Sequence, residues 1–528
     1  MKNILKISIV IILFCQNFSV FSQDKENTPY CFKMEEYNDK KSNSFQFKAI
    51  PIIEMRAINK STIDSIKNDN NYGKRAFQFA YSFKTNIDIL KESKIDSLEQ
   101  GILYLIGIKS TGAKSLNLIF NNFNIPLGAQ LYIFNKEKND LLEAFTNSNN
   151  KNNKKLAIRP LLGDMLFIEY FEPYSKKTHG SIILGKVNHD FIGIYSRDED
   201  YGNSGDCEVD INCAEGNNWQ TEKRAVCKII IDGTGLCTGA LVNNTNNDGR
   251  PFLLTAHHCI CDEATAESSV FIFNYESPTC DGVDGSIAQD IDGAGLIATF
   301  GDTDFTLLEL SEALPQNYNI YFAGWDRNVG QSPNGVGIHH PMGDVKKIST
   351  YTDATVDAEC VVDHPVGDVC DLDLTRPNND YYKVIFSETA PDHHGVTERG
   401  SSGSPLFNNN HRIIGQLFGF DCDGPMCADP GSDESCYGKL SSSWTGGGTN
   451  TTRLRNWLDP ANTTTALGGL RFIRNVTINA NTPASGDIVR LENVTVQGGA
   501  NILIDINERF EATGTFNAPV GSTLEIRP

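Results

Sequence analysis

The sequence predicts a mainly β protein with a central β-barrel domain that one short helix closes. Three observations lead to this prediction. Short apolar or alternating runs, separated by Gly-, Asn- and Asp-rich turns, recur through residues 202–460, which is typical of a barrel of many strands. The clearest helical period in this region is at Thr451–Pro460. The chain has 528 residues, so we expect several domains that each bury a core.

The start of the chain predicts export. We interpret residues 1–22 as a removable signal peptide, because Lys2 and Lys6 precede an apolar run, Ile7–Cys15, that is too short to span a bilayer. Residues 23–201 follow as a β-rich segment with strand signals such as GAQLYIF and GDMLFIEYFEP. We therefore expect no transmembrane segment.

The end of the chain, residues 461–528, has a different composition. It contains no cysteine and no lysine, and it alternates in stretches such as DIVRLENVTVQ and ILIDINERFEA. We interpret it as a separate β-rich accessory module. Its repetition is too weak for us to predict a solenoid, and attachment to the cell surface is one role that it could serve.

The charge of the chain is divided unevenly. The first 200 residues contain 27 Lys or Arg and 22 Asp or Glu, whereas the remainder contains 19 and 44, for a net charge of −20. An acidic domain repels nucleic acid phosphates, so we expect no nucleic acid partner. The acidic part could attract its own basic leader, and we expect a monomer.

The cysteines indicate an oxidising compartment. Of fourteen cysteines, twelve lie between Cys207 and Cys436, and an even set in one region suggests six disulfides. Disulfides persist outside the reducing cytoplasm. Together with the signal peptide, they predict a secreted, extracellular protein.

Three short motifs carry candidate chemistry. LLTAHHC places His258 before a cysteine, DTDFTLLEL places Asp304 at the head of an apolar strand, and GSSGSP places Ser402 among small residues. A serine hydroxyl needs a base such as imidazole, and the base needs a carboxylate to fix its tautomer. We therefore predict His258 as base, Asp304 as orienting carboxylate and Ser402 as nucleophile, with the N–H groups of Gly400 and Ser402 as an oxyanion hole.

Other interpretations of these motifs remain. Asp302 also precedes the apolar run. The cysteines at HHCIC could bind zinc, although the secreted context favours disulfides. An α/β-hydrolase would place its histidine far downstream of the serine, whereas His411 is too close. We predict structural or surface roles for two histidine pairs, and no metal or cofactor; the pairs are His339 with His340 and His393 with His394.

Residues 202–460 resemble the chymotrypsin-fold serine peptidases, and most closely the secreted bacterial lysyl endopeptidase group. Besides the three motifs, the resemblance rests on GDCEVDINC, CTGALVNNT, FAGWDR, GIHHP, KKIS, GVTERGSSGSP, GQLFG and RLRNWLDP. It implies a double β-barrel that hydrolyses protein or peptide substrates through an acyl-enzyme on Ser402. It also implies that residues 23–201 are a propeptide, which we expect to assist folding and to cover the cleft until it is cut away.

The resemblance further implies three disulfides. These pair Cys213 with Cys280, Cys237 with Cys259, and Cys207 with one of the late cysteines, for which Cys422 is the first candidate. The six remaining cysteines are then expected to pair among themselves, as Cys227 with Cys261, Cys360 with Cys370, and Cys427 with Cys436.

The chain departs from this group at the substrate pocket. Ser435 stands where lysine-specific members have a carboxylate, and an unpaired lysine ammonium in a buried pocket costs several kcal/mol. Asp433 or Glu434 could substitute, which leaves basic and apolar specificity as open alternatives. A mature chain that starts at Gly202, after Tyr201, would favour the apolar one. The candidate pocket residues are Val396, Phe418, Gly419, Phe420 and Ser435.

A departure from the digestive relatives, which the lysyl endopeptidase group shares, concerns activation. Ser401 stands where digestive relatives carry an aspartate that pairs with the freed N-terminal amine. Activation is therefore not expected to work through that ion pair. Rival interpretations of the whole chain are an esterase on the same three residues, and an inactive peptidase-like scaffold that acts as a binding or adhesive protein.

Overall fold

The computed structural model describes residues 28–32, 50–71, 76–175, 178–195, 204–328, 330–359, 379–386, 395–421 and 434–528. The described chain is mainly β, which confirms the predicted fold class. The predicted signal peptide lies outside these residues. So do Tyr201, Gly202, Asp433 and the second histidine pair, His393 and His394.

The segment 23–201, called the leader below, forms a sandwich of two sheets in its described part. One sheet has the order β1-β5-β10-β7 with β4 beside β5, and the other has the order β3-β11-β6-β8 with β9 beside β6. Apolar residues of both sheets, such as Ile168 and Leu184, share one core. The strands are β1 (Ile52–Glu54), β2 (Phe77–Gln78), β3 (Ala80–Asp88), β4 (Lys94–Ser97), β5 (Gly101–Lys109), β6 (Ser115–Asn124), β7 (Gln130–Asn135), β8 (Leu156–Ala157), β9 (Leu161–Leu162), β10 (Met165–Pro173) and β11 (Ser181–Asp190), and the helices are α1 (Lys60–Asn71) and α2 (Ile89–Glu92).

The central region contains two further sheets. The first has the order β17-β16-β13-β14-β15-β19-β18, and the second has the order β12-β22-β21-β25-β26-β27-β24-β23, with β20 and β28 attached. The first sheet comprises β13 (Val226–Ile231), β14 (Gly235–Leu241), β15 (Phe252–Ala256), β16 (Val270–Phe273), β17 (Asp290–Asp292), β18 (Ala294–Phe300) and β19 (Phe305–Leu310). The second comprises β12 (Val209–Asp210), β20 (Gly324–Asp326), β21 (Gly335–His339), β22 (Lys347–Tyr351), β23 (Val356–Ala358), β24 (Tyr381–Ile385), β25 (Pro405–Asn408), β26 (Arg412–Asp421), β27 (Glu434–Lys439) and β28 (Ala466–Leu467).

A shared apolar core joins these two sheets. It combines Phe252 and Leu254 of the first sheet with Trp325, Ile338 and Phe407 of the second. Burying such side chains contributes about 1.5–3 kcal/mol each. The core therefore fixes the two sheets against each other.

Helices are few and short in this region. The α-helices of its described part are α3 (Glu263–Glu267), α4 (Leu440–Thr445) and α5 (Arg455–Leu458). The predicted helix at Thr451–Pro460 is thus a single turn, because Pro460 prevents its continuation. No helix among the described residues combines the length and apolar character that crossing a membrane requires.

The end of the chain is a ladder of parallel strands. It consists of β29 (Leu470–Ile478), β30 (Thr482–Val496), β31 (Asn501–Asn517) and β32 (Thr523–Arg527), paired in chain order. Leu470 pairs with Ile488, Thr482 with Ile502 and Asn501 with Thr523, at intervals of 18, 20 and 22 residues. Such stacking of successive turns of chain is a solenoid arrangement, which the weak repetition of the sequence did not predict. Because the three intervals differ, the repeat has no fixed period in the sequence.

The leader extends the first central sheet. Phe77 and Gln78 of β2 pair antiparallel with Leu236 and Gly235 of β14. Leader and central residues also share a core cluster. Buried charge adds to the contact, since the Lys151 ammonium lies 2.5 Å from the Asp292 carboxylate.

Two of the implied disulfides are present, and one of the expected pairs is wrong. Cys213 is bonded to Cys280, and Cys237 to Cys259. Cys227 keeps a free thiol in the buried core under β13, whereas Cys261 is disulfide-bonded. The Cys227–Cys261 pair is therefore wrong, and so is the expectation that all twelve cysteines pair among themselves. Burial raises the pKa of the Cys227 thiol, which disfavours its thiolate.

Three other predicted pairs reach beyond the described residues. Cys207 and Cys436 are disulfide-bonded. Their predicted partners, Cys422 and Cys427, lie outside the described residues, as does the pair Cys360 and Cys370.

Candidate active site

The imidazole and the carboxylate come from neighbouring strand ends. β15 pairs antiparallel with β19, and Ala256 faces Phe305 at the end of the ladder. His258 follows β15 by two residues and Asp304 precedes β19 by one, so the ladder brings both to one place. Asp304 has a φ of 52°, a left-handed conformation that costs energy in a non-glycine residue and often marks a functional site.

Both carboxylate oxygens of Asp304 are used by His258. The backbone N–H of His258 donates to Oδ1 at 3.0 Å, and Nδ1 of the ring lies 2.8 Å from Oδ2. A carboxylate only accepts hydrogen bonds, so Nδ1 carries the proton and Nε2 is left as the basic nitrogen. Asp304 is fully buried, whereas Asp302, the alternative, is exposed and lies outside this pair.

The serine loop is anchored to the same strands. The carbonyl of Ser402 accepts a hydrogen bond from the N–H of Thr238 at 2.8 Å and lies 3.7 Å from the sulfur of Cys259. Cys259 directly follows His258. The loop therefore places Ser402 beside the turn that carries the imidazole.

Two glycines permit this close approach. Gly400 and Gly403 have φ of 92° and 80°, which other residues rarely adopt. A Cβ on Gly403 would lie 2.2 Å from the hydroxyl of Thr255 on β15. Glycine at 403 is thus a steric requirement of the loop.

The loop leaves two N–H groups available. Within the described part of the chain, no group accepts a hydrogen bond from the N–H of Gly400 or of Ser402. These are the two donors predicted for the oxyanion hole. Unpaired donors of this kind can stabilise a developing negative charge, since little reorganisation is needed when the charge forms.

Sequence reasoning missed Thr238 as a support of this loop. Besides its N–H, its hydroxyl donates to the carbonyl of Gly400 at 2.9 Å. The one available signal was its position directly after Cys237, whose disulfide to Cys259 lies beside His258.

The candidate pocket residues lie mainly on β26 and β27. Gly419 pairs with Cys436, and Phe420 with Ser435. Phe418 is buried, and its ring centroid lies 6.1 Å from that of His258.

Ser435 and Val396 are both buried. The Ser435 hydroxyl lies 2.6 Å from that of Thr397, and the Val396 carbonyl accepts a hydrogen bond from Ser349. Glu434, the alternative carboxylate, forms an ion pair with Lys383.

The zinc alternative at HHCIC is not supported. Cys237, His258 and Cys259 lie close together. Both cysteines, however, belong to one disulfide, and Cys261 is also disulfide-bonded. Zinc binding requires thiolates, so these sulfurs cannot serve as ligands in this state.

Comparison with known proteins points to one family. Residues 201–437 match the family model "Lysyl endopeptidase, C-terminal domain". The lysyl endopeptidase of Pseudomonas aeruginosa is 30% identical over 255 residues, which cover 45% of this chain and 49% of that protein. The chain thus spans about half the length of this curated relative.

Solved structures of proteases are more distant. The active form of the Rv3671c protease from M. tuberculosis is 13% identical, with a TM-score of 0.29 over 46% of this chain and 88% of that one. A Glu endopeptidase is 13% identical, with a TM-score of 0.28 over 45% of this chain and 92% of that one. The family match and the identity to the Pseudomonas protein confirm, for residues 201–437, the predicted resemblance to the lysyl endopeptidase group.

Proposed function

We propose that the central domain is a serine endopeptidase, secreted as a proprotein, that acylates Ser402 and then hydrolyses the acyl-enzyme. The observation that carries the proposal is the 2.8 Å contact of His258 Nδ1 with buried Asp304, beside a serine loop with two available N–H groups. In the proposed reaction, Nε2 of His258 takes the Ser402 hydroxyl proton while the oxygen attacks the peptide carbonyl. The ring then gives that proton to the leaving amine. Water, deprotonated by the same ring, next attacks the acyl-enzyme ester, and the Ser402 oxygen leaves with the proton that the ring returns.

A fluorophosphonate probe tests this proposal. The processed protein should become labelled at Ser402, as identified by mass spectrometry of its peptides, and the Ser402→Ala variant should not. A folded, processed protein that is never labelled would support the inactive scaffold instead. Hydrolysis of ester substrates without any peptide cleavage would support the esterase.

The pocket supports an apolar or aromatic preference at the residue before the scissile bond. The hydroxyl of Ser435 contacts Thr397, and Glu434 is paired with Lys383. Neither residue offers an unpaired carboxylate to a lysine ammonium, which would be left desolvated. Cleavage of a peptide library should therefore favour Phe or Tyr over Lys. A strict preference for Lys would contradict this assignment and place the protein with the lysine-specific members of the group.

We further propose that the leader assists folding and is then removed. Three observations support this: the pairing of β2 with β14, the ion pair of Lys151 with buried Asp292, and a second ion pair of Lys155 with Glu267 at 2.8 Å. The basic leader thus meets the acidic domain through charges of opposite sign.

Refolding of the acidic domain with separately added leader tests this role. Lys151→Ala leaves Asp292 unpaired, so the leader concentration needed for half-maximal recovery should rise at least about tenfold. Lys91→Ala is the matched control, because Lys91 is highly exposed in a pair with Asp88 of the leader. Full recovery without any leader would contradict the proposed role.

A further inference from the structure

The motif GIHHP places a histidine under the serine loop. His339, the last residue of β21, is fully buried. Its Nδ1 lies 2.8 Å from the hydroxyl of Ser401, and its Nε2 lies 2.8 Å from the hydroxyl of Ser349. The Ser349 hydroxyl in turn donates to the carbonyl of Val396 at 2.8 Å. One ring thus connects both ends of the segment 396–401, which leads to the nucleophile.

The direction of every hydrogen bond in this chain follows from its chemistry. Ser349 has one hydroxyl proton, which goes to Val396, so its oxygen must accept from Nε2–H of His339. In a neutral imidazole Nδ1 is then an acceptor, and it receives the hydroxyl proton of Ser401. The network is satisfied by a neutral ring in one tautomer.

The surroundings of His339 keep the ring neutral. Burial, with a smaller effect of nearby Lys347, lowers the pKa of His339 to about 3. Among the residues that the structure describes, the other charged group that faces the ring is Glu208, at 3.9 Å from Nε2. Burial raises the pKa of the Glu208 carboxyl well above its ordinary value, so it does not stabilise an imidazolium.

The adjacent His340 supports the same loop from its backbone. Its N–H donates to the hydroxyl of Thr238 at 3.1 Å, and that hydroxyl donates to the carbonyl of Gly400. The carbonyl of His340 also lies directly against Gly400, where an added Cβ would be 2.9 Å away. Both histidines of the motif therefore act on residues 400 and 401.

We propose that His339 is a positioning residue: through Ser401 it holds the peptide units whose N–H groups, at Gly400 and Ser402, form the oxyanion hole. At the position of Ser401, the digestive relatives of this group instead carry an aspartate that forms an ion pair with the freed N-terminal amine. This role rests on the proposed peptidase function. It also means that the loop is organised without a new N-terminus.

Two variants, made in the full chain and assayed after processing, test the role from each side of the His339–Ser401 hydrogen bond. Ser401→Ala removes the hydroxyl, and His339→Leu removes both ring nitrogens. In each, kcat and the fluorophosphonate labelling rate should fall roughly tenfold to a hundredfold, which is up to the effect of losing one oxyanion donor. In Ser401→Ala, KM should change by less than about threefold, because that substitution leaves the contacts of Val396 and Ser435 in place.

Two further variants separate positioning from stability. His339→Asn returns an amide oxygen near the position of Nδ1, so it should recover most of the lost kcat. His411→Leu is the matched control. His411 is a partly buried histidine that stacks on Trp219 and pairs with Glu222, so its loss should lower the melting temperature and leave kcat unchanged.

The outcomes are distinguishable. If the parent is labelled and Ser401→Ala and a folded His339→Leu react at the parent's rate, the positioning role is wrong and the peptidase proposal stands. If His339→Leu does not fold, Ser401→Ala decides, since it removes a single atom from the loop. If the parent itself reacts with neither fluorophosphonate nor peptides, the peptidase function fails and the positioning role fails with it.

Discussion

The two halves of the candidate site use histidine in opposite ways. In the imidazole half, Nδ1 of His258 lies 2.8 Å from the buried carboxylate of Asp304. In the serine-loop half, His339 lies among hydroxyl groups, and its pKa is lowered to about 3 by burial. In the proposed mechanism the first ring exchanges a proton during the reaction, whereas the second holds a fixed pattern of hydrogen bonds. The two proposed roles, proton transfer and positioning, thus follow from the surroundings of each ring and not from the residue type.

The largest effect is expected from the imidazole half. Asp304→Asn replaces an acceptor with an amide that can donate to the ring, so Nδ1 loses its proton and Nε2 is no longer basic. We expect kcat to fall about 10⁴-fold, measured by hydrolysis of the best peptide from the library.

Asp302→Asn is the control for that variant, because the Asp302 side chain is exposed and lies two residues from Asp304 in the sequence. Its kcat should stay within about twofold of the parent. Equal losses in the two variants would contradict the assignment of Asp304 as the orienting carboxylate.

A smaller effect is expected from the serine-loop half. Gly400→Ala introduces a Cβ only 2.9 Å from the His340 carbonyl, at a φ of 92°. The loop must shift, and a displacement of about 1 Å typically costs about 10²-fold in rate. Steady-state kinetics should show this loss mainly in kcat.

Gly448→Ala separates loop displacement from backbone strain. Gly448 has a φ of 84°, and a Cβ there would meet no atom within 4 Å. This variant should lose about 1 kcal/mol of stability and keep its kcat. A comparable loss of kcat in both variants would show that strain alone explains the effect at Gly400.

The smallest effect concerns Glu398, which should change how the stability of the fold depends on pH and leave the catalytic mechanism unchanged. Burial raises the pKa of Glu398, four residues before Ser402, to about 7, compared with 4.5 in an unfolded chain. The folded state therefore binds the Glu398 proton more tightly than the unfolded state does. The stability that this proton contributes to the fold is present at low pH and is lost as the pH rises through 7. The loss amounts to at most about 3 kcal/mol.

Glu398→Gln should make stability less dependent on pH. In a Ser402→Ala background, the urea midpoint of the parent should fall from pH 5 to pH 8 more steeply than that of the variant. Glu309→Gln, at an exposed pair with Arg250, should leave the slope unchanged. An identical slope for Glu398→Gln and the parent would contradict the raised pKa.

The sequence by itself determined the local features of this protein. Turn residues and strand periods predict a mainly β fold, and the motifs around His258, Asp304 and Ser402 indicate the residue types that nucleophilic catalysis needs. Such features are legible because a few adjacent residues specify each of them. The same holds for glycine at 400 and 403, where the backbone conformation excludes other residues.

Only the tertiary structure decided which distant residues share an environment. The free thiol of Cys227, the parallel ladder of residues 470–527 and the contact of His339 with Ser401 each depend on residues far apart in the chain. Burial and hydrogen-bond partners are properties of the packed neighbourhood, so a motif such as GIHHP cannot state them. For that reason the sequence indicates the candidate reacting groups, and the fold determines what holds them in position.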